Sequence, residues 1–180
     1  SSDATKVHAD WPQVQVVSEP QVLFDDPTLD LIVIPTPNDT HFPLAKAALN
    51  AGKHVVVDKP FTVTLSQARE LDALAKSKGL LLSVFHNRRW DSDFLTLKDL
   101  IASGKLGEVR YFESHFDRYR PEVRQRWREM KGAGSGIWFD LAPHLIDQAL
   151  QLFGSPVSIT ADLAELRVGS QATDYFHATL

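Results

Sequence analysis

The chain has 180 residues, of which 43% are hydrophobic and 23% are charged, so it is long enough to form one sizeable core or two small ones. Its net charge of -4 and its scattered lysines and arginines give no basic patch for nucleic acid, and no apolar run reaches the length of a membrane span. The absence of cysteine excludes disulfides and thiolate chemistry, and without a basic or apolar leader we expect a cytoplasmic protein.

The first half alternates short apolar runs with helical periodicity, the pattern of a parallel sheet covered by helices. Strands are predicted at residues 14–17, 31–35, 54–58 and 80–85, and the three longer ones are nearly continuously apolar, as expected for strands buried on both faces. Helices at 40–51 and 64–78 end at Gly52 and Gly79, which suit left-handed caps. Thr64 and Gln67 form a candidate capping box.

The apolar run ends after Phe85, where the polar residues 86–89 follow. We place a domain boundary at Asn87, which gives domains at 1–87 and 88–180. A helix is predicted at 91–103, before Gly104. A strand is predicted at 109–117, where alternate side chains form two faces of different composition. An amphipathic helix at 137–153 precedes two hairpin-linked strands at 157–167 and 174–180. The second domain is therefore predicted to be α+β with a largely antiparallel sheet.

No glycine-rich turn of the kind that opens a dinucleotide-binding fold occurs in the sequence, although such a fold should begin with a strand, this turn and a helix. The chain starts at Ser1 and stops within a predicted strand. We therefore expect a fragment of a longer enzyme, lacking about 30 to 40 residues in front by the usual size of one such unit.

Polar residues follow three predicted strands at their carboxyl ends, where open parallel sheets bind their ligands. These runs are 35–38, 58–60 and 86–88. Lys59 is the leading candidate because Pro60 keeps its backbone extended at the lip of the crevice, although an arbitrary lysine there is more commonly solvated. Asp58 could bind a ribose hydroxyl, pair with Lys59 or cap the next helix.

Asp140 and His144 lie four residues apart on a predicted helix and therefore share one face. Histidine can take a proton from a hydroxyl near neutral pH, and a carboxylate one turn away can orient the ring and stabilise its cation. For an isolated pair, an acid that complements a helix N-terminus beside a core histidine is the commoner arrangement. Pro143 requires that the helix starts late or bends.

Other chemistries have weaker support in the sequence. A metal site built on Asp140, His144 and either His86 or His115 needs a third ligand that the spacing does not identify, so we expect none. A serine hydrolase is excluded because no nucleophile-elbow sequence occurs. An arginine-rich stretch could line a polyol or phosphate pocket or equally form a solvated loop; it consists of Arg118, Arg120, Arg124, Arg126, Trp127 and Arg128.

Three motifs in this order and spacing resemble the glucose-fructose oxidoreductase, inositol dehydrogenase and rhizopine-catabolism (Gfo/Idh/MocA) family. They are residues 35–41, the run 58–60, and residues 134–136 followed by Asp140 and His144. The resemblance covers the whole chain, and residues 86–94 are similar to a bacterial subgroup that includes NADP-dependent scyllo-inositol dehydrogenases. It implies an α/β Rossmann domain, here without its first βαβ part, followed by an α+β domain with an open-faced, mainly antiparallel sheet that commonly mediates oligomerisation.

The resemblance also implies roles for individual residues. Lys59 would contact both nicotinamide and substrate, His144 would be the acid/base, and Asp140 would assist at the substrate. The implied cofactor-binding residues are Thr36, Pro37, Asn38, His41, Asp58, Lys59 and Asn87. Two departures from the family pattern are Asp58, where glutamate is more usual, and Ser135, which interrupts a glycine run; neither removes a charge or a proton-transfer group.

These roles predict an oxidoreductase that transfers a hydride between NADP or NAD and a CH–OH group of an inositol-like polyol or sugar. His144 would remove the hydroxyl proton, and Lys59 would stabilise the oxyanion. Ser1 and Ser2 could tolerate a 2′-phosphate, whereas Asp3 would favour NAD if it faces the ribose; the resemblance favours NADP slightly. The alternative is a family member that binds nucleotide without turnover, as a sensor or scaffold. We expect a homo-oligomer, a dimer or tetramer, without nucleic-acid or membrane partners.

Overall fold

The computed structural model describes residues 4–180, and its elements fall into two regions. In the first region helices alternate with strands: α1 Ala4–Asp10, α2 Pro20–Asp25, β1 Leu31–Ile34, α3 Asn38–Asn50, β2 His54–Asp58, α4 Leu65–Lys78 and β3 Leu82–Phe85. A 3₁₀ turn at Asn87–Trp90 leads into the second region: α5 Ser92–Ala102, α6 Gly136–Phe153, β4 Thr160–Ala164 and β5 Tyr175–Thr179.

The three strands of the first region form a parallel sheet in the order β1-β2-β3. Parallel neighbours must be joined by crossovers, and α3 and α4 supply them, as the alternating sequence pattern predicts. The carboxyl ends of all three strands therefore meet at one edge of the sheet. In the second region β4 and β5 pair antiparallel, and this confirms the predicted fold class.

One face of the parallel sheet forms the core. Ile32 and Ile34 of β1 and Val55 and Val57 of β2 alternate toward this face, where they meet buried side chains of α2, α3 and α4. The fully buried side chains from the helices include Leu49 and Leu71. Removing this apolar area from water stabilises the region by roughly 25 cal/mol per Å².

The opposite face of β1 and β3 is open in the described part of the chain. Val33 is 59% exposed and Phe85 is 53% exposed. The prediction that the three apolar strands are buried on both faces is therefore wrong for β1 and β3 within residues 4–180. A strand side chain is buried only when an element packs against its face, and the described helices α3 and α4 cover one face only.

The helix ends follow local sequence chemistry. The capping box is confirmed: the Thr64 side chain accepts a hydrogen bond from the Gln67 backbone, and the Gln67 side chain accepts one from the Thr64 backbone. Gly79 ends α4 with a φ of 65°, which side-chain-bearing residues rarely adopt. Helix α3 begins at Asn38, two residues before the predicted start at Thr40.

Two predicted strands are wrong. Residues 14–17 and 109–117 form no strand. The short helices α1 and α2, which precede β1, were not predicted. A strand requires a neighbour to complete its hydrogen-bond ladder, and in residues 4–180 no strand lies beside either segment. The predicted C-terminal hairpin is confirmed but shorter, with Leu163 opposite Phe176. No helix among the described residues is long and apolar enough to cross a membrane.

Candidate active site

Lys59 of the sheet edge contacts helix α6 of the second region. It follows the last residue of β2, and its Nζ donates to the carbonyl oxygen of Asp140 at 2.7 Å and to the Asp140 carboxylate Oδ1 at 3.3 Å. Both side chains are largely buried. The Lys59–Pro60 peptide bond is cis. The amine at the end of β2 and the second turn of α6 thus meet across one cleft.

His144 lies one turn further along α6 and is only 6% exposed. Its Nδ1 is buried without a hydrogen-bond partner among the described residues. Burial lowers the pKa of His144 to about 4, with further lowering by the charges of Lys59 and Arg88, while Asp140 opposes the shift. The imidazole is consequently neutral at neutral pH, the form that can accept a proton.

The aromatic ring of Phe116 closes one side of this imidazole. The two rings meet edge to face, with centroids 6.5 Å apart. The guanidinium of Arg88 stacks on the same Phe116 ring at 5.0 Å from its centroid. An apolar ring therefore separates the imidazole from solvent on this side, and this agrees with burial as the main cause of the lowered pKa of His144.

Asp140 and His144 share a face of α6, as predicted, but no hydrogen bond or ion pair joins their side chains in residues 4–180. The Asp140 carboxylate instead lies between two cations, since its Oδ1 is 3.3 Å from Lys59 Nζ and 3.4 Å from Arg128 Nε. The expectation that this carboxylate orients the imidazole ring is not met in this structure, because the two cations hold it. Pro143 lies inside the helix without ending it.

A second ion pair on α6 was missed by the sequence reasoning. Arg89, in the 3₁₀ turn after β3, donates from Nε to Asp147 Oδ2 at 2.8 Å and from Nη2 to Asp147 Oδ1 at 2.6 Å. His86 Nδ1 lies 3.8 Å from the same carboxylate, and burial lowers the pKa of His86. The available signal was the acid at position 147, seven residues after Asp140 and so on the same helix face.

The residues expected to line the cofactor after β1 differ in their accessibility. Thr36 is half-buried and Pro37 is exposed. Asn38 is buried and its Nδ2 donates to the Gly134 carbonyl oxygen at 2.8 Å. His41 is fully buried, with Nδ1 2.8 Å from the Pro60 carbonyl oxygen and Nε2 2.9 Å from that of Thr36. Asn38 and His41 therefore contact protein atoms.

The remaining expected cofactor residues lie at the same sheet edge. Asp58 is half-buried and accepts a hydrogen bond from the Lys59 backbone N–H at 2.8 Å. Asn87 is exposed at the start of the 3₁₀ turn. Ser1, Ser2 and Asp3, on which we expect cofactor choice to depend, lie outside the described residues. Within residues 4–180 no group of three or more histidines and acids could hold a metal ion.

Close backbone contacts fix the start of α6. Gly134 has a φ of 76°, and a Cβ there would lie 3.0 Å from Asn38 Cβ. Gly136 has a φ of 89°, and a Cβ there would lie 2.9 Å from the Thr173 carbonyl oxygen. The same Thr173 oxygen accepts a hydrogen bond from the Ile137 backbone N–H at 2.6 Å. Glycine is required at both positions, by conformation and by space.

The arginine-rich stretch borders an open cavity of about 1220 Å³ between residues 109–121 and the elements α6 and β5. Arg128 pairs with Asp140 in this cavity wall and stacks on Trp127 at 4.4 Å. Arg126 donates to the buried carboxylate of Glu129, which Arg167 also contacts. The stretch therefore combines residues that line a cavity with residues held in a local ion-pair network.

Sequence and structure comparisons identify relatives of both regions. Residues 1–86 match the model of an oxidoreductase family described as an NAD-binding Rossmann fold. Residues 94–180 match the GFO/IDH/MocA C-terminal domain. The Escherichia coli (strain K12) protein named "Uncharacterized oxidoreductase YdgJ" is 80% identical over 100% of this chain and 52% of its own length.

Further relatives extend this similarity. The Bacillus subtilis (strain 168) protein named scyllo-inositol 2-dehydrogenase (NADP(+)) IolW is 44% identical over 100% of this chain and 50% of its own length. The solved structure of YvaA from Bacillus subtilis superposes with a TM-score of 0.96 at 44% identity, covering 100% of this chain and 51% of that one. Synechocystis biliverdin reductase, solved with biliverdin and NADP+, superposes with a TM-score of 0.79 at 31% identity, covering 91% of this chain and 51% of that one.

The chain spans about half the length of the relatives that it matches. Its two regions nevertheless match both parts of one family architecture, in the same order. With its parallel sheet and its C-terminal antiparallel hairpin, the chain belongs to the Gfo/Idh/MocA family of oxidoreductases.

Proposed function

We propose that this chain carries the substrate end of the active site in a nicotinamide-dependent dehydrogenase that oxidises a CH–OH group of a polyol or sugar. The proposal depends on one observation. Lys59 Nζ contacts Asp140, and the buried, neutral His144 lies one helical turn from Asp140 on α6. An ammonium, a carboxylate and a neutral imidazole in one cleft can bind a hydroxyl group, take its proton and stabilise the oxygen left behind.

The residues at the sheet edge fit a nicotinamide cofactor. Thr36 and Pro37 after β1, Asp58 and Lys59 after β2 and Asn87 after β3 lie where open parallel sheets bind dinucleotides. The buried Nδ1 of His144, which has no partner among the described residues, adds a polar atom that a ligand can satisfy. When bound, the cofactor supplies the hydride acceptor.

Two of the expected cofactor residues act indirectly in this proposal. Asn38 ties the end of β1 to the loop before α6 through the Gly134 carbonyl. His41 links the ends of β1 and β2, because its ring nitrogens lie against the carbonyl oxygens of Thr36 and Pro60. Both residues therefore position the crevice in which Thr36 and Lys59 meet the cofactor.

The chemical roles follow from charge and burial. His144 is neutral near pH 7 because burial lowers its pKa to about 4, so it can accept the hydroxyl proton. The Lys59 ammonium stabilises the negative charge that develops on the substrate oxygen. Asp140 keeps Lys59 on the α6 side of the cleft and can accept a hydrogen bond from a second substrate hydroxyl. Reduction of a ketone uses the same groups in reverse.

The names of two relatives support the proposed substrate class and cofactor preference. IolW is named for scyllo-inositol and NADP, and a 33% identical protein of Ensifer adhaerens, which matches 73% of this chain, is named 1,5-anhydro-D-fructose reductase. Both names denote ring compounds with several hydroxyl groups. We therefore propose an inositol-like polyol or a sugar as substrate, and NADP in preference to NAD.

The remaining proposals concern the whole protein. We propose a boundary between the nucleotide and substrate domains at residue 87, where the 3₁₀ turn follows β3. We also propose that the enzyme is cytoplasmic and assembles as a dimer or tetramer through its C-terminal sheet.

A panel of inositols, hexoses and sugar acids, tested with NADP and NAD on a full-length enzyme that carries this sequence, tests the function directly. The readout is the absorbance of the reduced nicotinamide. We expect turnover with a polyol or sugar, and faster initial rates with NADP at equal concentrations. A protein that binds the cofactor but reduces none of it with any member of the panel would be the non-catalytic sensor.

Two variants test the site. Lys59→Met and His144→Gln should each lower kcat by about 100- to 10,000-fold, the usual contribution of electrostatic or acid–base groups. Lys76→Met and His8→Gln are matched controls, because Lys76 forms an exposed ion pair with Asp72 and His8 is an exposed histidine that contacts the Val14 carbonyl oxygen. Turnover near the wild-type rate in either site variant would remove that residue from the mechanism.

A further inference from the structure

Helix α6 is attached to the sheet edge at two points. Its second turn meets Lys59 through Asp140, and its fourth turn meets Arg89 through Asp147. Asp140 and Asp147 are seven residues apart, about two turns and about 10 Å along the same helix face. The two cations follow neighbouring strands, β2 and β3. His144 lies between the two attachments.

The Arg89–Asp147 pair has the geometry of a rigid link. Two parallel N–H···O bonds of 2.8 and 2.6 Å join the guanidinium to both carboxylate oxygens. The Asp147 side chain is only 10% exposed. Bidentate arginine–carboxylate pairs fix orientation as well as distance. Next to this pair, Gln148 Nε2 donates to the Arg88 carbonyl oxygen at 3.1 Å, so two successive α6 residues contact the same turn.

The two attachments cannot have the same role during a reaction. In the proposed function Lys59 must place its ammonium near the substrate oxygen. Its hydrogen bonds to Asp140 then weaken, because the ammonium also donates to the substrate. Arg89 and Asp147 make no contact that the proposed chemistry requires. This second link can therefore hold α6 while Lys59 turns to the substrate.

We propose that Arg89 and Asp147 are positioning residues that set the place of His144 relative to Lys59, a role that rests on the proposed dehydrogenase function. The pair acts through α6 and touches neither substrate nor cofactor. It joins the two regions of the chain where the 3₁₀ turn follows β3. Small displacements of reacting groups are costly, since a shift of about 1 Å can reduce turnover about 100-fold.

Four variants of a full-length enzyme test this role: Arg89→Lys, Arg89→Met, Asp147→Asn, and Arg89→Met combined with Asp147→Asn. We expect kcat to fall about 10- to 100-fold in each neutralising single variant, and no further in the double variant, because the residues act as one link. Arg89→Lys keeps the positive charge but cannot make the two parallel hydrogen bonds of the guanidinium. Its kcat should therefore lie between those of wild type and Arg89→Met. The Kd of NADP should change less than kcat, because Asn87 is the one proposed cofactor residue that shares the 3₁₀ turn of Arg89.

The pair Lys76 and Asp72 supplies the matched control, since it is a highly exposed ion pair on α4. Lys76→Met and Asp72→Asn should leave kcat unchanged. Wild-type kcat in folded Arg89→Met or Asp147→Asn would overturn the proposal. So would losses of kcat that add in the double variant, or a kcat of Arg89→Lys as low as that of Arg89→Met.

A readout without turnover separates this proposal from the proposed function. The titration of His144 by NMR reports its surroundings, which comprise Lys59, Arg88 and His86 from the strand ends, Asp140 on α6, and the Phe116 ring. When the link is lost, we expect α6 to move and the pKa of His144 to rise from about 4 toward 6.5 as water reaches the ring. An unchanged titration in Arg89→Met would overturn the positioning role even if no polyol is ever turned over.

Discussion

The burial of His144 makes the protein sensitive to acid in a way that can be calculated. Its pKa is lowered from 6.5 to about 4, first by burial and then by the charges of Lys59 and Arg88. Between these two values the unfolded chain binds more protons at this residue than the folded chain does. Stability therefore falls as the pH falls through this window, and the contribution of His144 is complete above its unfolded pKa.

The size of the effect follows from the two pKa values. Relative to neutral pH, the free energy of unfolding should fall by about 2 kcal/mol at pH 5 and by about 3 kcal/mol at pH 4 through this one residue. His86 adds to the effect with the same sign, because burial lowers its pKa as well. The His144→Gln variant removes the titrating ring of His144 alone, so the difference between variant and wild type isolates this residue.

Urea unfolding at pH 7 and pH 5 measures the effect. Wild type should lose about 2 kcal/mol more than His144→Gln over this interval. NMR titration of the ring should give a midpoint near 4. Parallel losses of stability in the two proteins, together with a ring midpoint near 6.5, would refute the claim that the imidazole is held neutral by burial.

Two further substitutions test the start of α6. Gly136→Ala should destabilise the protein by about 2–3 kcal/mol, from about 1–2 kcal/mol of left-handed strain and about 1 kcal/mol for the displaced bond to the Thr173 carbonyl. Gly79→Ala, also at positive φ but with nothing within 4 Å, should lose only about 1 kcal/mol in the same urea assay; equal losses would contradict the predicted backbone clash. Asn38→Ala leaves the Gly134 carbonyl without its buried donor and should cost about 1–3 kcal/mol by urea unfolding, and a loss below 0.5 kcal/mol would argue against that bond.

Local chemistry accounts for the elements that were predicted well from the sequence. The ends of α4 depend on the Thr64 and Gln67 side chains and on the left-handed Gly79, all within a few residues of the boundary. The meeting of Lys59 with α6 was predictable because carboxyl ends of parallel strands gather at one edge and ligands bind there. The family resemblance indicated that Asp140 and His144 of α6 would lie near Lys59.

Contacts between distant segments account for the failures. Residues 14–17 and 109–117 have strand-like sequences, but a ladder depends on a neighbour that the local pattern does not specify. The spacing of Asp140 and His144 predicted a shared helix face, yet could not reveal that Lys59 and Arg128 hold the carboxylate. The Arg89–Asp147 pair joins residues 58 positions apart. Helix periodicity places Asp147 on the same face as Asp140 but does not identify Arg89 as its partner.

The order acid, histidine, acid along α6 also determines how the helix can dock. If α6 slid by one turn, Asp140 would leave Lys59 and Asp147 would leave Arg89, so two carboxylates and two cations would lose their partners at once. Unpaired charges in a partly buried interface cost several kcal/mol each. The spacing of these charges thus rejects shifted arrangements of the two halves of the molecule, and the active site assembles in one register only.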